Sequence, residues 1–371
     1  MKKIRPKKIK TDKTVAPVAT VSLDRVMIIA GLVLVFSLTA LSLYLWQPTW
    51  LFPVAEVTPP LVEEIIIEPI SEPVCLDCVS DPLSGAVLPK AETEGRPWAV
   101  MIDNYVGARP TVGVSAATIV YEAPVEGGVT RLMAVIRAQD LPATIGPVRS
   151  ARPYFLKWAQ ELGATYVHVG GSPEALALAK KLGSQDLNEF YQGAYFWRAN
   201  DRPAPHNILT SQEKLKSYRE SLGQEKDDFY LAPYQFKESL IDELRLGSEI
   251  RVKYSEGYNV SWDYLPVTNS YQRYLETGPH QEADGGLITV NNLIFPLRTF
   301  KIVDDDLRLE LIPQTGGTAL LCQDGACEWG SWKQTDPLQR WRFYKRDGTE
   351  FVFNIGKTWI SLISRLDDVQ Y

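Results

Sequence analysis

From Val26 to Trp46 the chain reads VMIIAGLVLVFSLTALSLYLW, with no charged residue in 21 positions. At about 1.5 Å rise per residue that run spans roughly 30 Å, the thickness of a bilayer's hydrocarbon core, and predicts one transmembrane helix. Arg25 bounds it on one side and Gln47-Pro48 on the other, with Trp46 and Trp50 placed for the headgroup belt. Cleaved signal peptides have shorter apolar cores and a small-x-small site; Ala40 with Ser42 is a poor one, so the segment is read as a retained anchor. Residues 47–95 lose the periodicity and hold eight prolines, which predicts an extended stalk.

Beyond it the pattern changes twice. Residues 96–215 hold apolar runs of strand length: Trp98–Ile102, Ala117–Ala123, Arg131–Ala138 and Tyr166–Val169. Between them, PYFLKWAQEL ending at Gly163 and SPEALALAKKL, with Ser172 as cap and Pro173 first, read as helices. Strands apolar on both faces with helices between imply a sheet covered by helices. Residues 216–247 are charged and helix-prone, a helical connector. From 248 to 371 the period becomes 2, in short segments such as EIRVKY, VSWDY, TALLC and TWISLI, which is a β-rich module. The expected fold class is α+β: a mixed α/β exterior domain, then a β-rich domain.

Charge orients this plan. Residues 1–25 carry eight Lys/Arg against two Asp/Glu, and the remainder carries 31 against 43. Positive charge stays in the cytoplasm, so the basic arm is inside and both exterior modules are extracytoplasmic. An acidic body excludes a nucleic-acid-coating role, and the arm is read as an orientation signal near anionic lipid.

Four cysteines and three histidines leave little for a metal centre, and no metal or cofactor is expected. Asp324-Gly325 is a two-residue hairpin signal that sets Cys322 opposite Cys327, at a separation a disulfide spans. A zinc site joining CLDC (Cys75, Cys78) to that hairpin would need the stalk to fold back. No G-x-S-x-G or H-E-x-x-H occurs. Gly356-Lys357-Thr358 lacks the earlier glycine of a phosphate loop, since Phe351 stands there. Trp329, Trp332, Trp341, Phe343 and Tyr344 could stack on sugars, but alternating strand positions favour core.

AVMIDNYVGARPTVGVSAATIVYEAPVEGGVTRLMAVI, IGPVRSARPYF, VHVGGSP and PAPHN resemble the YerB-like lipoprotein family of bacteria. VSWDY, YQRY, GSWK, DGTEF and GKTWI resemble that family's second domain, so the likeness covers roughly residues 96–365. It implies an envelope-associated, two-domain protein whose molecular function is not established. It also implies anchoring of many members through a lipid-modified cysteine. This chain has no cysteine at the end of its apolar run, and a transmembrane helix is expected instead.

The candidate ligand-binding residues are polar positions that punctuate the apolar strands. Asp103 and Asn104 close the first, Glu122 and Glu126 sit near the end of the second, and Arg131 opens the third. Arg149, Ser150 and Arg152 feed a helix start; His168 precedes Gly170-Gly171-Ser172; His206 sits in PAPHN. Ligands bind beyond strand carboxyl ends in helix-covered sheets, and arginine recognises anions in a two-pronged way. The leading expectation is a binding module for an anionic envelope glycopolymer, a phosphorylated precursor or a protein partner. The alternatives are an envelope hydrolase using Asp103, Glu122 or Glu126, a scaffold for membrane machinery, and a purely structural ion-pair network.

Overall fold

The computed structural model describes residues 27, 34–39, 41–42, 75–223, 231–239, 241–242 and 244–371. The basic arm and the stalk to residue 74 lie outside them, as does most of the predicted span, whose described residues are helical. Among the described residues no helix is long and apolar enough to cross a membrane. The chain divides into two compact units, Met1–Glu72 and Pro73–Tyr371, and the sheets lie in the second.

A ten-stranded mixed sheet organises that unit. Its early strands are β1 (Trp98–Asp103), β2 (Ile119–Pro124), β3 (Thr130–Ile136), β4 (Thr165–His168) and β5 (Asp186–Asn188). Three further strands, β6 (Ile250–Ser255), β7 (Tyr258–Leu265) and β8 (Ser270–Leu275), belong to a second, antiparallel sheet. The chain then returns to the first sheet with β9 (Asn292–Pro296), β10 (Gly316–Gln323), β11 (Ala326–Lys333), β12 (Arg342–Tyr344) and β13 (Thr358–Ser361). A final strand, β14 (Val369–Gln370), closes the second sheet beside β6. The order in the large sheet is β12-β11-β10-β9-β13-β2-β3-β1-β4-β5. β13 lies parallel to β2, pairing Trp359 with Val120 and Ser361 with Glu122, so one sheet runs through early and late sequence.

Both faces of β1, β2, β3 and β4 are buried, which explains their unbroken apolar runs. On one face Ala99, Met101, Tyr121 and Met133 pack on α1 (Pro153–Glu161) through Phe155 and Trp158, and on α2 (Pro173–Ala179) through Ala175. On the other, Val100, Ile102, Val120 and Leu132 meet Val252, Val260, Trp262 and Tyr271 of the second sheet. The architecture is α+β with a β-rich carboxy-terminal part. Trp332, Trp341 and Phe343 are core, as alternation indicated. α1 ends before Gly163 at φ +59°, and Ser172 Oγ caps α2 by accepting from Ala175 N at 3.3 Å.

Two expectations need correction. Residues 75–95 are not an extended spacer: Cys78–Ser80 pairs antiparallel with Val87–Pro89, and Leu83 is buried. Pro82 lies in the turn and Pro89 at a strand end, where a missing N–H breaks no ladder bond, so proline count alone misjudged this stretch. The helix expected in KESLIDELRL is also absent among the described residues. Phe236–Lys237 pairs with Phe353–Asn354 instead, Tyr234 stacks on Phe353 at 4.4 Å, and Lys237 and Arg245 turn to Asp324. Tertiary contacts override the local helical propensity of this segment.

The Asp324-Gly325 turn forms with both residues at positive φ (55° and 73°), as a tight hairpin requires. It pairs Cys322 with Cys327 across a Cα separation of 4.1 Å, and they form a disulfide. Cys75 and Cys78 form a second one.

Candidate functional site

The sequence-predicted polar residues gather at one end of the large sheet, in three separate networks. The deepest is built on Glu122, which is fully buried. Its carboxylate accepts from Thr130 Oγ1 at 2.6 Å, Tyr258 OH at 3.1 Å and Trp359 Nε1 at 2.9 Å. Ser361 Oγ donates at 3.2 Å, and Arg273 Nη2 donates to both oxygens at 2.9 and 3.1 Å. Asn104 joins through Nδ2, which donates to Thr130 Oγ1 and Tyr258 OH, and its own oxygen accepts from Arg109. Burial works against the Arg273 charge, yet Glu122 and Tyr258 hold its pKa above the ordinary value. Burial and the adjacent Arg273 push His280 well below its usual range, so a neutral imidazole accepts from Arg273 at Nδ1, 2.7 Å away. A carboxylate this fully engaged and closed to solvent holds two sheets together and cannot reach a substrate.

The second network centres on Glu126, carried by the Gly127-Gly128 turn, whose φ values are 78° and 72°. Glu126 pairs with Arg131 at 3.3 Å and, more closely, with Arg152; Arg131 also donates to Ser150 O at 2.7 Å. Burial alone would raise the Glu126 pKa, but Arg131 and Arg152 together hold it below the ordinary carboxylate value. Glu126, Ser150, Arg152, Gly171 and Ser172, together with Asp306 and Arg308, line a cleft of about 290 Å³. The cleft has no spare positive charge: Arg152 is matched by Glu126, and Arg308 by Asp304 and Asp306.

The third network is the open one. Asp103, at the carboxyl end of β1, takes Arg149 Nε at 3.0 Å and His206 Nδ1 at 2.7 Å on the same oxygen. Tyr105 stacks on the His206 ring with centroids 4.9 Å apart. Arg149 is 24% exposed as a side chain, and Asp103 is its one ion-pair partner among the described residues. Its backbone oxygen accepts from Val169 N, which places it next to the β4 carboxyl end, and Phe190 follows from the end of β5. Tyr105, Val106, Phe190 and Tyr191 are all exposed at this edge. His206 Nε2 bonds to no hydroxyl or thiol among the described residues, so this is an Asp–His pair without a nucleophile.

His168 does not join any of these networks. It is fully buried, with Nε2 on Asp186 at 2.8 Å and Nδ1 on Gly170 O at 2.6 Å, a satisfied core histidine. Gly170 has φ +55°, and a Cβ there would come within 2.6 Å of the Phe190 ring. Gly170→Ala is therefore expected to cost about 1–2 kcal/mol, measured by urea unfolding; an unchanged midpoint would show that the ring seat is not fixed.

Arg273, Tyr258, His280 and Asp186 were not singled out from sequence. Glu122 and Arg273 are 151 residues apart, and no local pattern links them. The one signal present was YQRY, where alternation places Arg273 on the same inward face as Tyr271.

These features define a class: an α+β protein in which a helix-covered sheet takes its middle strand from a β-rich second half. The chain belongs to the family described as "Protein of unknown function (DUF3048)", matching its N-terminal domain at residues 83–225 and its C-terminal domain at 250–360. It is 32% identical over 307 residues to "Putative lipoprotein YerB" of Bacillus subtilis (strain 168), covering 77% of this chain and 86% of that protein. The crystal structure of YerB from Bacillus subtilis superposes with a TM-score of 0.71 at 31% identity, over 79% of this chain and 99% of that one. The YerB-like resemblance read from the motifs is thus a family relationship.

Proposed function

We propose that this chain is a membrane-tethered, extracytoplasmic binding protein for an anionic envelope glycopolymer or phosphorylated precursor. The tether is the 26–46 span, entered from a cytoplasmic basic arm; a relative that bears the name lipoprotein supports an envelope location. The observation that carries the binding reading is Arg149. Asp103 pairs with the guanidinium at Nε, and the Arg149 side chain stays 24% exposed beside the strand carboxyl ends. That arrangement gives a directed pair of donors for phosphate or carboxylate, while the exposed rings of Tyr105 and Phe190 offer faces for sugar stacking. Asp103, Glu122 and Glu126 are each matched by arginine and face no common cleft among the described residues, which leaves the paired-carboxylate hydrolase without geometric support.

Calorimetry of the full-length protein with purified anionic wall polymer tests this. Arg149→Ala is expected to weaken binding at least about tenfold, the value of one charge-assisted contact. Arg152→Ala should weaken it less, because Glu126 already occupies that side chain. Affinity should fall as salt rises. Equal binding by wild type and Arg149→Ala removes the site.

A further inference from the structure

The two disulfides differ in their surroundings. Cys322 is fully buried in the core between β9 and β11, and its partner Cys327 is half-buried against that core. Cys75 and Cys78 lie at the surface: Cys75 and Asp77 are exposed, Leu76 is 95% exposed, and Cys78 is half-buried. Chain entropy does not separate the pairs. The rings span 3 and 5 residues, and closing loops this short constrains the unfolded chain by nearly equal amounts. Access does separate them, because exchange needs a thiolate to approach a sulfur in line.

The hairpin that begins at Cys78 is held by other bonds as well. Asp81 N donates to Ala86 O and Gly85 N to Asp81 O, both at 2.8 Å, while Ser84 N bonds the Asp81 carboxylate at 2.9 Å. Lys90 N reaches Asp77 O at 3.2 Å, and Leu83 is buried beneath. A bond that holds little in place and faces solvent is free to open and close.

We propose that Cys75–Cys78 is a thiol–disulfide exchange site whose substrate is a dithiol protein. One thiolate of that partner attacks a sulfur of the pair, breaking the Cys75–Cys78 bond and forming a mixed disulfide. The expelled thiolate takes up a proton. The partner's second thiolate then attacks its own half of the mixed disulfide and releases the other cysteine. Two electrons pass to this chain, and the partner leaves as its disulfide. Asp77 beside Cys75 supplies negative charge, and no lysine or arginine is bonded there among the described residues to favour the reduced pair, so the disulfide is its resting form. The side of the membrane on which this occurs follows from the tether; the chemistry does not depend on it.

The test uses the full-length protein in detergent, without denaturant. Graded dithiothreitol is followed by alkylation and peptide mass analysis, and a thioredoxin-type dithiol lacking its second cysteine serves as a trap. Cys75 and Cys78 are expected to label at least about tenfold faster than Cys322 and Cys327, with the unfolding temperature unchanged. The trap should form a mixed disulfide that is lost in Cys75→Ser/Cys78→Ser. The proposal is overturned if both pairs label at one rate, if Cys75 and Cys78 label only after unfolding, or if the trap captures neither. A loss of wall-polymer binding in Arg149→Ala bears on the preceding site and leaves this outcome untouched.

Discussion

Glu122→Ala is expected to destabilise the folded unit by about 3–5 kcal/mol. The reason is not that the ion pair is intrinsically strong. Taking two charges out of water costs nearly what their attraction returns, so an intact buried pair contributes modestly. Removing one partner leaves Arg273, at 0% exposure, with an uncompensated charge among Trp262, Trp359 and Tyr258. Arg273→Met should cost a similar amount by stranding Glu122. The double replacement Glu122→Ala/Arg273→Met should cost clearly less than the sum, because no charge is left inside. Urea unfolding of the four proteins measures the cycle, and additive losses would show that the two residues act independently. Since Glu122 sits on β2 and Arg273 on β8, either single loss should loosen both sheets in one transition.

Glu161→Gln should stabilise the protein, and increasingly so as pH rises. Glu161 is buried at the end of α1, where burial pushes its pKa from 4.5 up to about 8, against the Gln334 hydrogen bond and the nearby Arg340 and Arg298 charges. Only one of its oxygens has a partner, Gln334 Nε2 at 2.7 Å. The folded state therefore keeps a proton that the unfolded chain releases above pH 4.5. Stability from this group is fully present below 4.5 and is lost as pH climbs to about 8. Glutamine keeps the hydrogen bond and has no proton to lose. The two proteins should match at acid pH and separate by something on the order of 3 kcal/mol at the alkaline end. Denaturant midpoints taken across pH 4–9 would reveal it; a constant difference would mean that Glu161 is ionised in the fold throughout.

The elements were largely legible because their causes are local. Ser172 with Pro173 starts a helix, Gly163 ends one, and Asp324-Gly325 turns a hairpin, each from backbone preferences that need no distant partner. The candidate site was legible as an inventory and not as an arrangement. Asp103, Glu122, Glu126, Arg131, Arg149 and Arg152 all sit at one end of the sheet, yet sequence offered no means to sort them. Only the tertiary structure shows that Glu122 is sealed, that Glu126 neutralises Arg152, and that Arg149 pairs with Asp103 while staying partly exposed. His168 and His206 illustrate the same limit: one is buried against Asp186 and the other sits half-open beneath Tyr105.

Sequence alone determined the apolar run and its basic flank, the α+β succession, the Cys322–Cys327 pairing and the family likeness, since each follows from spacing or from residues near in the chain. Tertiary structure alone decided that β13 enters beside β2, that residues 75–95 fold, and which charges are matched. Pairings across more than a hundred residues are set by which apolar faces must be covered together, and that competition leaves no trace in any short window of sequence.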